Sequence, residues 1–285
     1  MKTNFDCFPC FLKQISRTGR LLGMDESAIW ALLKHGSSLL AAMDVDNSPP
    51  QNAVAVYDMI SERSGTDDPF RELKVQSTLH ALAIYNDLQA RIKKHPDPLE
   101  AAVKYAACGN VIDYGVSDTY DIMKELETVL QQEFHAWEYE LFISRLEKAS
   151  WVLYLGDNCG ETVFDRLLIE TMNVPVTFVV RDRPIINDVT MEDARQAGLD
   201  EVSTVISSGC RAPGVIIEKC SDEFRRLYQE APLIISKGQG NFETLCDESR
   251  EIFFLFKIKC AVVAKYLQAG LNSMFFGLSS NRISS

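Results

Sequence analysis

The sequence contains no apolar run of 18 or more residues, so no stretch of it has the length and character of a membrane-crossing helix. Its amino terminus, Met1-Lys2-Thr3-Asn4-Phe5-Asp6-Cys7, lacks the apolar core of a signal peptide, which predicts a cytoplasmic protein. A surplus of positive charge is missing too. Lysine and arginine total 29 against 40 aspartates and glutamates, a formal net charge of −11, and such a chain repels the backbone of DNA or RNA. Neither a membrane nor nucleic acid is therefore expected as a partner, and oligomeric state is left open. Histidine is scarce, with His35, His80, His95 and His135 all isolated. The eight cysteines are scattered apart from Cys7 and Cys10, so no disulfide framework and no four-ligand zinc motif is laid out. Internal repeats, low-complexity tracts and the Gly-x-x-x-x-Gly-Lys-Ser/Thr phosphate loop are likewise absent.

What is present is a globular composition, 46% hydrophobic and 24% charged over 285 residues, enough for two parts or one large α/β unit. Two patterns divide the chain. From Phe11 to about Leu146 apolar residues recur every three or four positions, as at Leu73, Leu79, Leu82, Ala83 and Leu88, which predicts a series of helices. Breaks fall at Asp46-Asn47-Ser48-Pro49-Pro50, at Ser64-Gly65-Thr66-Asp67-Asp68-Pro69, which offers a stop and a fresh N-cap, and at His95-Pro96-Asp97-Pro98. After Ser150 five short apolar runs appear, Trp151–Leu155, Val174–Val180, Val202–Ile206, Leu233–Ile235 and Ile252–Phe256, each followed by a polar loop and a helical segment. That alternation predicts a parallel, doubly wound sheet. The expected organisation is a mainly helical part, 1–149, packed on a Rossmann-like α/β part, 150–285; the tail from Asn272 is unassigned.

In such a sheet, ligands sit beyond the carboxyl ends of the strands. Those positions are polar here. The first run leads into Gly156-Asp157-Asn158-Cys159-Gly160-Glu161-Thr162 and the second into Arg181-Asp182-Arg183-Pro184-Ile185-Ile186-Asn187-Asp188. The third leads to Ser207–Gly214 and the fourth to Ser236-Lys237-Gly238-Gln239-Gly240-Asn241. Asp157, Asn158 and Asp188 form an all-oxygen set suited to a hard or borderline divalent ion; the same residues also suit helix capping. Lys237, in a loop of small residues before a helix, could hold an anion together with backbone N–H groups, or be an exposed lysine on a glycine turn. In the helical part, Gly109-Asn110-Val111-Ile112-Asp113-Tyr114-Gly115 reads as a rigid turn or as a helix stop. Cys7-Phe8-Pro9-Cys10 reads as two thiols on a first helical turn, with a structural role, a role beside a site, or redox chemistry open to it. Cys159, as a ligand, would favour a softer metal.

Taken in order, the Cys7–Cys10 pair, Gly109–Asp113, Gly156–Glu161, Pro184-Ile185-Ile186-Asn187-Asp188-Val189-Thr190 and Ser236–Asn241 resemble the damage-control phosphatase family, in its subgroup with an N-terminal Cys-x-x-Cys, from Cys7 to Cys260. The resemblance implies hydrolysis of small phosphomonoesters, such as sugar phosphates or other damaged or surplus phosphometabolites, supported by magnesium, manganese, cobalt or nickel. It puts the metal ligands on Asp157, Asn158 and Asp188 and the phosphate-binding lysine on Lys237. It puts the substrate contacts on Asn110 and Asp113 and on the loop carrying Ser236, Gly238, Gly240 and Asn241. Catalysis then falls to Asp157, Asp188 and Lys237, with water or an aspartate as nucleophile. Two other readings stand beside it. Val152–Gly160 imitates the first strand and glycine loop of an S-adenosylmethionine-dependent methyltransferase, and the same fold could serve a non-catalytic phosphometabolite-binding protein.

Overall fold

The computed structural model describes residues 1–109, Leu126 and residues 134–279. Five helices come first: α1 (Cys7–Leu21), α2 (Glu26–Ala41), α3 (Pro49–Ser64), α4 (Arg71–Lys94) and α5 (Pro98–Cys108). The expected breaks separate them. Asp25 caps α2 by accepting from the Ala28 N–H at 2.7 Å, and Asp97 caps α5 by accepting from Glu100 N–H at 3.0 Å. Ser48 and Gln51 form a reciprocal capping box on α3, which opens on Pro49 and Pro50 and closes on Gly65 at φ +70°. One break works differently from expectation. The residue before α4 is Phe70, with no side-chain cap, because Asp68 accepts from the Phe70 N–H and pairs with Lys74 at 2.6 Å.

The chain from Phe134 onward supplies α6 (Tyr139–Leu146), α7 (Thr162–Met172), α8 (Met191–Gln196), α9 (Asp222–Glu230), α10 (Gln239–Leu245) and α11 (Ala261–Leu267). Seven strands form one sheet: β1 (Phe134–Trp137), β2 (Val152–Leu155), β3 (Val176–Val180), β4 (Thr204–Ser207), β5 (Leu233–Lys237), β6 (Phe253–Lys257) and β7 (Met274–Leu278). Their order is β1-β7-β6-β5-β2-β3-β4, and every neighbouring pair is parallel except β6 with β7. The five apolar runs of the sequence are β2 to β6. The other two strands depart from expectation: β1 lies inside the stretch read as helical, and β7 lies in the unassigned tail.

Burial follows from this layering. One apolar cluster joins α4 and α5 residues Ala81, Leu88 and Ala106 to the sheet face of Val152, Tyr154 and Phe178, with Phe164 and Leu168 of α7 between them. A second covers the other face, where Leu153, Ile234 and Phe254 meet Phe224, Phe242 and Val263. A third lies among α1 to α3 and takes in Ile185 from the loop after β3. The chain runs from β2 outward through β3 and β4, then returns to place β5 on the other side of β2. The strand order therefore reverses between β2 and β5, and the crevice at their carboxyl ends is where ligands of such sheets bind.

Candidate active site

Three loops meet at that reversal. After β2 the chain presents Asp157 and Asn158, and after β3 it returns at Asp188, tied back by an isolated antiparallel bridge between Asn158 and Asp188. Backbone bonds fix the approach: Val189 N–H donates to the Asp157 carbonyl at 2.8 Å and Cys159 N–H to the Asn187 carbonyl at 2.9 Å. Ile186, β-branched yet at φ +47°, sits in the strained left-handed region just before Asp188. The loop after β5 closes the third side. Gly238, at φ +82°, lies so near Asp157 that a Cβ there would overlap its carboxylate, and a Cβ on Gly240 would overlap the Pro213 carbonyl oxygen. Close packing of backbone is what the missing Cβ atoms of these two glycines permit.

Arg181, at the end of β3, clamps the acidic pair. Its Nε donates to Asp188 Oδ2 at 2.7 Å, and its Nη2 lies 3.8 Å from Asp157 Oδ1. The same Nη2 donates to Asn241 Oδ1 at 3.1 Å. Asn158 Nδ2 donates to Asp157 Oδ2 at 3.0 Å and to Glu161 Oε1 at 2.6 Å. Lys237 lies behind Glu161, donating to its Oε2 at 3.0 Å and to Asp165 Oδ1 at 2.7 Å, and Tyr154 also donates to that Asp165 oxygen at 2.7 Å.

Burial shapes the titration of these groups. It pushes Asp157 well above the usual carboxylate range, helped by the Asp188 and Glu161 charges, and it raises Asp188 against the opposing pull of Arg181. Asp165 is pushed up to about 6 by burial. Burial alone would lower Lys237, but the Asp165 and Glu161 carboxylates hold its ammonium above its ordinary value. Four buried carboxyl groups, Asp157, Glu161, Asp165 and Asp188, thus share two buried cations, Arg181 and Lys237, so full ionisation would leave two negative charges uncompensated. A divalent cation on the oxygens of Asp157, Asn158 and Asp188 would balance them, and the donor chemistry is that of a hard ion.

These three residues open onto a cavity of about 420 Å³. It is also lined by the N-terminal halves of α1 and α3, with Cys7, Cys10, Phe11, Gln14, Pro50 and Tyr57, and by Gln239, Gly240, Glu243, Lys259 and Cys260. Burial raises the Cys7 and Cys10 thiols and pushes Glu243 up to about 7.

Of the residues singled out in the sequence, Asp157, Asn158, Asp188 and Gly240 line this cavity. Lys237 does not. It is the last residue of β5, wholly buried, and its ammonium is taken up by Glu161 and Asp165 instead of facing the cavity. Asn241 is equally occupied: it donates to the Gly156 and Lys237 carbonyls and accepts from Arg181 and from Val215 N–H. Ser236 is a buried strand residue. Asn110 and Asp113 lie outside the described residues, although Gly109, at the start of their loop, packs against Glu161, whose Cα a Cβ would meet at 3.0 Å. Cys159 points its thiol at the Asp188 carbonyl, and burial keeps it well above its ordinary pKa.

Sequence reasoning gave no role to Arg181, Glu161 or Asp165, and did not single out Lys259. Arg181 was the most legible of these, as the first residue beyond an apolar run. The methyltransferase analogy loses its central feature. Gly156 is small because the Phe178 ring lies against it, 2.7 Å from where a Cβ would be, and not to admit a cofactor.

The profile of the damage-control phosphatase ARMT1-like domain matches residues 3–275. A damage-control phosphatase of Pyrococcus horikoshii is 34% identical over 275 residues, covering 94% of this chain and 95% of the relative. One from Archaeoglobus fulgidus is 31% identical over 284 residues, covering 96% and 98%. The crystal structure of a DUF89 family protein from Pyrococcus horikoshii superposes with a TM-score of 0.91 at 32% identity, covering 98% of this chain and 99% of that one.

Proposed function

The chain belongs to the ARMT1-like damage-control phosphatase family, and from that premise we propose that it hydrolyses small phosphomonoesters with a divalent cation held by Asp157, Asn158 and Asp188. One observation carries the reading: a buried cluster with two more carboxyl groups than cations opens onto a substrate-sized cavity at the point where the sheet reverses direction. When bound, the ion would shield phosphate charge and lower the pKa of a water.

The chain's own residues do the positioning. Arg181 holds both aspartates in place, so little reorganisation is needed when a phosphate arrives. Lys259 lines the cavity and its charge is felt at Asp157, so this reading gives it the substrate phosphate. The remaining wall is apolar, neutral polar or acidic, through Phe11, Pro50, Tyr57, Gln14, Asn187, Asp6 and Glu243, which favours a substrate with one phosphate and an uncharged body such as a sugar. A second phosphate would meet carboxylates there.

The test is phosphate release from an aryl phosphate and a panel of sugar phosphates, with chelator and with added magnesium, manganese, cobalt or nickel. Metal-stimulated release that disappears in a folded Asp157→Asn variant is the expected result. Undiminished turnover in chelator, or in that variant, would remove the metal assignment; ligand binding without release would leave a non-catalytic binding protein.

A further inference from the structure

We infer that Glu161 and Lys237 are positioning residues for the cation, acting through the amide of Asn158; this rests on the metal site proposed above. An asparagine side chain offers an oxygen to a cation on one side only. Which side faces the cavity depends on what holds the other. Here Asn158 lies between two carboxylates, Asp157 Oδ2 at 3.0 Å and Glu161 Oε1 at 2.6 Å. An amide oxygen against either carboxylate would be repelled, so the amide turns its –NH₂ toward them and its Oδ1 away from them, the side a cation would meet.

Asp157 would itself share its charge with the ion, whereas Glu161, at the shorter distance, keeps its oxygen for the amide. Glu161 is wholly buried, and an unpaired carboxylate there would be costly. Lys237 supplies the pairing charge on the other oxygen, and Asp165, fixed by Tyr154, holds Lys237 from behind. The result is one continuous line, Asp165 to Lys237 to Glu161 to Asn158, that runs from beneath the sheet edge to the cavity. The lysine expected to grip phosphate thus serves the site from behind. Orientation of ligands by such outer partners typically changes metal affinity about 10–100-fold.

The experiment measures Mn²⁺ affinity by calorimetry in the full chain, with circular dichroism to verify folding. In Glu161→Gln the single remaining oxygen is drawn to Lys237, the new –NH₂ faces Asn158, and the Asn158 amide turns over to present nitrogen to the ion. The expected loss is about 10–100-fold in affinity. Adding Asn158→Asp should restore binding to within about threefold of wild type, because either carboxylate oxygen can serve the ion while the other accepts from the amide introduced by Glu161→Gln. A merely structural role for Glu161 would show no such rescue. Unchanged affinity in Glu161→Gln, or a folded double variant that stays weak, overturns the inference. Wild-type protein that binds no Mn²⁺ and releases no phosphate overturns the proposed function itself, so the two failures are distinct. Should the variants not fold, the side-chain –NH₂ resonances of Asn158 in the wild-type protein decide: hydrogen-bonded, slowly exchanging protons that persist with Mg²⁺ support the inference, and their loss on adding Mg²⁺ overturns it.

Discussion

Gly238 shows how one missing Cβ can hold a site together. Its φ of +82° and its contact with the Asp157 carboxylate mean that Gly238→Ala would impose backbone strain and push the carboxylate aside. The expected result is a stability loss on the order of 1–3 kcal/mol by urea denaturation. A displacement of about 1 Å at Asp157 should lower kcat/KM about 100-fold in the phosphate-release assay. Glu243 gives a pH-dependent counterpart. Burial raises its carboxyl from an ordinary 4.5 to about 7, so the folded protein keeps a proton that the unfolded chain has released. Its contribution is therefore fully present below about 4.5 and lost as pH rises through about 7. Glu243→Gln removes that loss and can still accept from Gln239. The variant should be more stable than wild type at pH 8 by on the order of 2–3 kcal/mol, with the difference fading toward pH 4.5. Parallel stability curves across that range would refute it.

At the scale of elements, what could be read in the sequence tracks how each element is buried. Strands β2, β3, β5 and β6 are covered on both faces, so they appear as continuous apolar runs. The edge strand β1 is only four residues, Phe-His-Ala-Trp, partly exposed, and lacks that signal; β7, Met-Phe-Phe-Gly-Leu, is buried and apolar throughout, but it pairs antiparallel with β6 and falls outside the strand–helix alternation that marked the other runs. The same logic separates the site residues. Asp157, Asn158 and Asp188 were legible because they lie in the loops that follow strands. Lys237 reads as a loop residue because the strand runs two residues beyond its apolar run: in a loop it would face solvent or ligand, but as the last strand residue it points inward to Glu161 and Asp165. That pairing joins residues 76 and 72 positions apart, which no local pattern encodes. Lys74 is a second such case, joining α4 to Asp193 on α8 at 2.9 Å and to Asp68 at 2.6 Å while almost wholly buried. Lys74→Ala would leave two carboxylates without their cation, and should lower stability by about 3–5 kcal/mol in chemical denaturation. A loss under about 1 kcal/mol would show that water replaces the ammonium there.

At the scale of the molecule, the cavity exists only because the helical part and the sheet share their packing. Its lining comes from the loops after β2 and β3 and from the N-terminal halves of α1 and α3. Arg211 ties these together, donating to Asp58 of α3 and, at 3.1 Å, to the Pro184 carbonyl in the loop that carries Asp188. Ile185 of that loop is buried among the side chains of α1 to α3, and α4 and α5 share one apolar cluster with the sheet. A chain beginning at residue 150 would uncover Phe164 and Leu168 of α7, which pack with α4 and α5, and would lose β1 from the sheet edge. At roughly 1.5–3 kcal/mol for each large apolar side chain left uncovered, a few such losses rival the whole stability of a domain. The two parts should therefore unfold in a single transition, seen at the same denaturant concentration by far-ultraviolet circular dichroism, which follows the helices, and by tryptophan fluorescence, which reports the half-buried Trp137 of β1 and Trp151 just before β2. A fragment of residues 150–285 should be molten or insoluble. Two separated transitions, with the fragment folding by itself, would show instead that the helical part is an independent lid whose docking completes the cavity.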